Sequence, residues 1–232
     1  MTDFKIRAKL GSGAFGNVYL VQLEEPEPES LEADNTDNNS KSTVKNAKVK
    51  YQFAMKVMNK EDIFEKNMAG YAKSERDIFE MCKNCPFIAK MYFAFQNNKN
   101  VFLLLEFCYY GDLGGVLKRE RRFTEEVARK YLCQIIMAIE HLHSKNILYR
   151  DLKPDNILLG HNGNVKLTDF GLSKKDTDNY YSSKSFCGTL AYLAPEMFLE
   201  TGYGKVIDWY CVGAVFYEFL VGSPPYYDSD FN

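Results

Sequence analysis

The sequence predicts an α+β fold in two lobes, a small antiparallel sheet with one helix followed by a mainly helical lobe. Three observations predict it. The first hundred residues carry short alternating or apolar runs separated by turn residues, which is the pattern of strands. From Thr124 onward the apolar period lengthens to that of a helix. Residues 206–221 are apolar on nearly every face, as a buried helix is. With 232 residues, of which 46% are hydrophobic and 15% aromatic, the chain has the material for a sizeable core.

Taken in order, residues 4–23 alternate around a glycine cluster and read as two strands joined by a tight loop. Residues 24–50 differ: seven acidic residues fall within 24–37 and four lysines within 41–50, with few apolar residues between. They read as a solvated, disordered insert in a hairpin connection. Residues 51–58 read as a strand, and 61–82 as a helix with Ile63, Phe64, Ile78, Phe79 and Met81 as apolar anchors. Residues 90–96 and 101–107 read as strands, the second apolar enough to be covered on both faces. Thr124 caps a helix running to about Ser144, apolar at 127, 128, 131, 132, 135, 136, 139 and 142.

Several function classes drop out. A formal charge of -2 provides no field to recruit nucleic acid or anionic lipid. No run of about 18 apolar residues is present, so membrane insertion is not expected. The opening MTDFKIRAKL lacks the apolar core of a secretory signal. Cys82, Cys85, Cys108, Cys133, Cys187 and Cys211 are scattered, as in a reducing compartment, so the expected location is cytoplasmic with nuclear access open. Cys82 with Cys85, and His141 with His143, have the spacing of half a zinc site. No second pair completes either, and helix-end and core positions are the expected reading.

Gly11-Ser12-Gly13-Ala14-Phe15-Gly16-Asn17-Val18 can bring backbone N–H groups against phosphate, although alone it is equally a hairpin turn. A strand follows it, which excludes a dinucleotide-binding helix start. Lys56 sits inside an apolar strand and needs a partner unless it snorkels; Glu75 in the next helix can be that partner. Tyr149-Arg150-Asp151-Leu152-Lys153-Pro154-Asp155-Asn156 follows the long helix, Asp169-Phe170-Gly171 comes thirteen residues after Asn156, and Ala194-Pro195-Glu196 closes the segment. A loose phosphoryl-transfer transition state calls for these types. Asp151 can accept a hydroxyl proton and Lys153 can neutralise the transferring oxygens. Asn156 and Asp169 offer hard oxygens to Mg²⁺.

In that order and spacing the motifs resemble a eukaryotic protein kinase from residue 4 to about 230, apart from the insert. Tyr149-Arg150-Asp151, Ser185-Phe186-Cys187-Gly188-Thr189 and Leu193-Ala194-Pro195-Glu196 resemble the AGC group of serine/threonine kinases. Thr168 to Lys174 looks most like the ribosomal S6 and Akt-like branch. The resemblance implies a protein-kinase-like fold with an ATP-binding lobe at 1–107 and a partial catalytic lobe at 108–232. It implies ATP and Mg²⁺ and a protein substrate, and it does not imply an oligomer. Lys56 would hold the α/β-phosphates, and Gly11, Gly13, Phe15 and Gly16 would cover them. Val18, Ala54 and Leu158 would sandwich adenine beside the gatekeeper Leu105 and the hinge residues Glu106 and Cys108. Met91, Phe79, Phe170 and Tyr149 would stack as a spine anchored by Asp208.

Ser185 matches a phosphosite for an upstream kinase, with Arg150 and Lys174 as phosphate partners. Asp112, Asp155, Thr189 and Glu218 match substrate-facing positions, the acids implying a basic preference on the N-terminal side of the target. Leu190-Ala191 stands where the group has Pro-Glu, and Tyr71 where a basic residue is common. The resemblance further implies helices and a tail beyond residue 232. The expectation for this chain alone is an incomplete lobe of low stability, with Val215, Phe216, Phe219 and Leu220 exposed and Glu196 unpaired. An alternative function is then a catalytically weak nucleotide-binding scaffold. A small-molecule kinase fits less well, because Ser185 to Glu196 reads as a protein-substrate platform.

Overall fold

The structure is a computed structural model and describes residues 4–13, 16–23, 51–175, 187–199 and 202–226. The 24–50 insert, Phe15 and Ser185 lie outside the described residues. Strands β1 (Phe4–Gly13), β2 (Gly16–Leu23), β3 (Gln52–Asn59), β4 (Met91–Gln96) and β5 (Asn100–Glu106) form one antiparallel sheet in the order β1-β2-β3-β5-β4. The period of two sorts their side chains. Ala54, Met58, Leu103 and Leu105 face the main core, whereas Val21, Met55, Phe102 and Leu104 form a second cluster on the other face. Lys56 lies two residues from Ala54 and so projects toward the main core.

The predicted helix at 61–82 is two helices, α1 (Lys60–Glu65) and α2 (Ala69–Met81). Asn59 caps α1 by accepting from the Glu61 amide at 2.7 Å, and Asn67 breaks the run at φ 54°. Asparagine is one of the few residues that adopts this conformation readily, and it commonly follows a helix end. The break turns Phe64 into solvent rather than the core. On α2, Glu75, Ile78 and Phe79 make the buried stripe.

The second part contains α3 (Leu113–Glu120), α4 (Glu125–Ser144), the short pairs β6 (Ile147–Leu148) with β9 (Lys174–Lys175) and β7 (Ile157–Leu159) with β8 (Val165–Leu167), then α5 (Pro195–Phe198) and α6 (Val206–Val221). Thr124 caps α4 as expected, and Ala128, Ile135, Ala138, Ile139 and Leu142 are its buried stripe. Val127 and Ile136 lie at the edge of that stripe and are exposed. Helix α6 corrects a second expectation. Val215 and Phe219 are buried, the latter against the rings of Phe123 and Tyr131 at 5.2 and 6.4 Å. Phe216 and Leu220 pack partly against the same core. The exposed face is Val206, Trp209, Gly213, Tyr217 and Val221, because α4 and the turn at Leu190–Tyr192 take the opposite one. No helix among the described residues is long and apolar enough to cross a membrane.

Helix α6 ends at Gly222, φ 97°, whose amide donates to the Glu218 carbonyl at 2.7 Å. A Cβ there would lie 2.4 Å from the Arg121 carbonyl oxygen. Gly222→Ala is therefore expected to lower unfolding free energy by about 2 kcal/mol, from positive φ and the clash together. A denaturant midpoint unchanged by this substitution would contradict the tight junction between α6 and the α3–α4 turn.

Candidate active site

A cavity of about 500 Å³ opens between the sheet and the helical part. Gly11, Gly13 and Gly16 form its roof with Val18, and Ala54 and Lys56 continue it along β3. Leu105, Glu106 and Cys108 form the back wall where the chain leaves β5. Leu158, Asn156, Asp155 and Asp112 form the floor, and Glu75 and Asp169 the inner end. The glycines do different jobs. Cβ atoms on Gly11 and Gly13 would meet open space, whereas one on Gly16 would lie 2.2 Å from the Val57 carbonyl oxygen. Gly16 is thus required by the approach of β2 to β3, a constraint independent of any ligand.

Lys56 Nζ lies 2.6 and 2.9 Å from the Glu75 carboxylate oxygens and 3.0 Å from Asp169 Oδ1. Burial works against the Lys56 charge, but the two carboxylates overcome it and hold the ammonium above its ordinary range. Burial pushes Glu75 up, with Asp169 adding to the rise and Lys56 opposing it. Burial also works against Asp169, but Lys56 outweighs it and lowers that carboxyl. Two carboxylates share one cation, and the deeper of them, Glu75, bears the strain of the excess negative charge.

Beside this triad, Asp151 is held through both oxygens. Lys153 Nζ donates to Oδ2 at 2.9 Å, the Asn156 amide nitrogen donates to Oδ2 at 2.9 Å and to the Asp151 carbonyl at 2.8 Å, and the Thr189 hydroxyl donates to Oδ1 at 2.9 Å. Lys153 also donates to Thr189 Oγ1 at 2.7 Å. Asp151, Lys153 and Thr189 therefore form one cluster at the mouth, outside the cavity lining itself. Asp208, fully buried, accepts from the amides of Tyr149 and Arg150 at 2.9 Å each and meets His143 Nε2 at 2.7 Å. Phe170 packs edge-on to Phe79 at 4.8 Å and to Tyr149 at 5.5 Å, and Met91 packs against the same core.

The remaining expected residues divide. Asp112 caps α3, accepting from the Gly115 amide at 2.7 Å, so local structure already engages its carboxylate. Asp155 lies beside Asp112 across Gly114. Glu218 accepts from the Tyr192 hydroxyl at 2.7 Å; burial raises its carboxyl, and the charge of Asp155 adds to the rise. The three acids thus share one neighbourhood. The Arg150 guanidinium is buried and donates to the Leu172 carbonyl at 2.6 Å and the Tyr203 hydroxyl at 3.3 Å, while Lys174 is exposed on β9. Sequence reasoning missed Leu10, Phe107, Gly111 and Thr168 in the lining, Tyr192 behind Glu218 and His143 behind Asp208. The one available signal was His143 on the apolar stripe of α4. Cys82 ends α2 and Cys85 follows, both buried, and burial pushes the Cys82 thiol up to about 11.

Residues 39–232 match the family model of the protein kinase domain. The serine/threonine-protein kinase sgk-1 of Caenorhabditis elegans is 38% identical over 230 residues, covering 99% of this chain and 45% of its own. Ribosomal protein S6 kinase beta of the same organism is 39% identical over 225 residues, 97% of this chain and 37% of its own. The cAMP-dependent protein kinase catalytic subunit of Dictyostelium discoideum is 35% identical over 230 residues, 99% of this chain and 31% of its own. The chain spans less than half the length of each of these relatives.

Lys56→Met should leave Glu75 buried without its cation and shift the Glu75 carboxyl further up. A carboxyl whose folded value is raised stabilises the fold below its unfolded value and loses that contribution as pH rises through the folded value. The variant should therefore become less stable, relative to the unsubstituted chain, as pH rises from about 4 toward neutrality. Thermal unfolding across that range checks it; a parallel pH profile for the two chains would show that Glu75 does not depend on Lys56.

Proposed function

The chain belongs to the protein kinase family, and from that membership we propose that it transfers the γ-phosphoryl group of Mg·ATP to serine or threonine hydroxyls of protein substrates. The observation that carries this reading is the carboxylate of Asp151, gripped by Lys153, Asn156 and Thr189 beside a cavity that contains Lys56. A nucleotide fits the cavity. Val18, Ala54 and Leu158 offer apolar surface to a purine, and Leu105, Glu106 and Cys108 bound it from behind. Lys56 and the backbone of Gly11, Gly13 and Gly16 offer cation and amides to phosphates.

The site also fits Mg²⁺. Asn156 and Asp169 both line the cavity, the amide nitrogen of Asn156 is engaged by Asp151, and the Lys56–Glu75–Asp169 group carries excess negative charge. Mg²⁺ held there would supply charge neutralisation to the phosphates. The chain's own residues do the rest. Asp151 orients the acceptor hydroxyl and takes its proton, Lys153 offsets charge on the transferring oxygens, and Thr189 fixes both at the edge where a peptide would enter.

The neighbouring acids Asp112, Asp155 and Glu218 support a preference for basic residues N-terminal to the target. Ser185 is proposed as the site of an upstream kinase, the added phosphate holding the segment from Asp169 to Glu196 in place through Arg150 and Lys174. Six free cysteines support a reducing compartment, and we place the protein in the cytoplasm with access to the nucleus. The scaffold alternative is not favoured, because the groups assigned to transfer are present in two bonded clusters, Lys56 with Glu75 and Asp169, and Asp151 with Lys153, Asn156 and Thr189.

Asp151→Asn should lower transfer to a Ser/Thr peptide by about 10²–10⁴-fold while changing nucleotide affinity only a few-fold. Radiolabel transfer and calorimetry read the two effects separately. Loss of nucleotide binding together with transfer would remove Asp151 from its assigned role. A degenerate peptide library phosphorylated by the unsubstituted chain should select Arg or Lys before the acceptor; selection of acidic or proline-directed sites would reject the acid cluster as a substrate reader.

A further inference from the structure

Glu106 and Leu158 line opposite sides of the cavity, one on the back wall and one on the floor. One of the described residues outside the cavity touches both. Lys166, in the middle of β8, pairs through its backbone with Leu158 of β7, and its ammonium lies 2.9 Å from Glu106 Oε2. Both charged side chains are largely shielded, with 15% and 17% of their surface exposed, so the pair is screened less than a surface ion pair.

The surroundings hold each end. The Glu106 amide donates to the Lys90 carbonyl at 2.8 Å, and the Lys90 amide donates back to Glu106 Oε2 at 3.2 Å. Glu106 is therefore fixed to the start of β4 through backbone and side chain, and to the helical lobe through Lys166. On the other side, Val165 and Leu167 flank Lys166 and are fully buried. The Leu167 amide donates to the Phe87 carbonyl at 2.8 Å, and its carbonyl accepts from the Ala89 amide at 2.9 Å. The stem of Lys166 passes over Gly160. Strand β8 is thus a rigid base, and the lysine is the tie from that base to the chain leaving β5. No short sequence motif marks it, because Val165-Lys166-Leu167 reads only as an alternating strand.

The geometry points to Lys166 as a positioning residue for the purine end of the nucleotide, acting through Glu106 on the backbone between β5 and α3. The inference rests on the nucleotide reading given above and adds to it which residue sets the spacing between back wall and floor. The phosphate end of the cavity is fixed separately by Lys56, Glu75 and Asp169. Loosening the tie should weaken interactions with the purine while leaving those with the phosphates in place.

Lys166→Met keeps most of the stem and removes the charge. It should raise the Kd for Mg·ADP and the KM for ATP by roughly three- to tenfold, the effect of about one partly buried ion pair on a bound ligand. The KM for peptide and the inhibition constant of Mg·tripolyphosphate, which has no purine, should stay within about twofold. Glu106→Gln should reproduce this pattern and Lys166→Arg should restore tight nucleotide binding. A Lys166→Met chain with unchanged Mg·ADP affinity overturns the proposal, and so does one in which tripolyphosphate and peptide constants move in step with ADP, the mark of general loosening. If Lys166→Met fails to fold, the same comparison is made with Lys166→Gln. An unsubstituted chain that binds tripolyphosphate and ADP equally would overturn the nucleotide reading itself, and this inference with it.

Discussion

Asp208 lies fully inside the helical lobe, and its two oxygens accept from consecutive amides, those of Tyr149 and Arg150, while a third partner, His143, approaches from α4. A carboxylate without water needs such partners, since an unpaired buried charge is opposed by several kcal/mol. Here it has them, and the arrangement fixes the backbone where fixing is hardest. Arg150 sits at φ 70°, a conformation that disfavours any residue with a Cβ by about 1–2 kcal/mol. Asp151 is the next residue. The orientation of the proposed base is therefore set from behind, by a residue that α6 supplies nearly sixty positions later in the chain. The apolar character of α6 follows from the same need, since the helix that presents Asp208 must itself be buried on that face.

A second constraint is charge balance. Lys56 is one cation between two carboxylates, Glu75 from α2 and Asp169 from the segment after β8. The three come from three separate elements, so the pairing also reports whether sheet, helix and helical lobe are assembled. Asp169 too sits at positive φ, 55°. Phe170, the next residue, is locked between Phe79 and Tyr149. Packing of one aromatic ring thus holds a carboxylate toward the lysine, against the local preference of the backbone.

The legible part of the molecule was that in which local chemistry and tertiary packing agree. The apolar runs of β3 and β5, the Thr124 cap and the extent of α6 could all be read from side-chain pattern and capping residues. The break at Asn67 was not read, because apolar residues on both sides keep a helical spacing across it; the αL tendency of asparagine was the only trace. Among site residues, motif order pointed to those on the cavity wall, from Lys56 to Asp169. Beyond Asp208 and the spine it anchors, it did not reveal residues that act from behind the wall. Tyr192, His143 and Lys166 occupy ordinary turn, helix and strand positions, and only the folded chain brings them to Glu218, Asp208 and Glu106. Burial of Val215 and Phe219 was misjudged for a related reason: which side of an all-apolar helix is covered depends on where α4 lies, and period alone cannot state it.

The most direct test of the dependence on Asp208 is amide hydrogen exchange at Tyr149 and Arg150 in the unsubstituted chain and in Asp208→Asn. An asparagine keeps one uncharged acceptor oxygen and turns an N–H₂ toward the other amide, so one bond is lost with a donor left facing a donor, and the other loses its charge assistance. The expected result is exchange faster by roughly tenfold to hundredfold at these two amides, through local opening, while the amides of β3 and β5 keep their protection. Equal protection at Tyr149 and Arg150 in both chains would contradict the claim that this buried carboxylate holds the segment bearing Asp151.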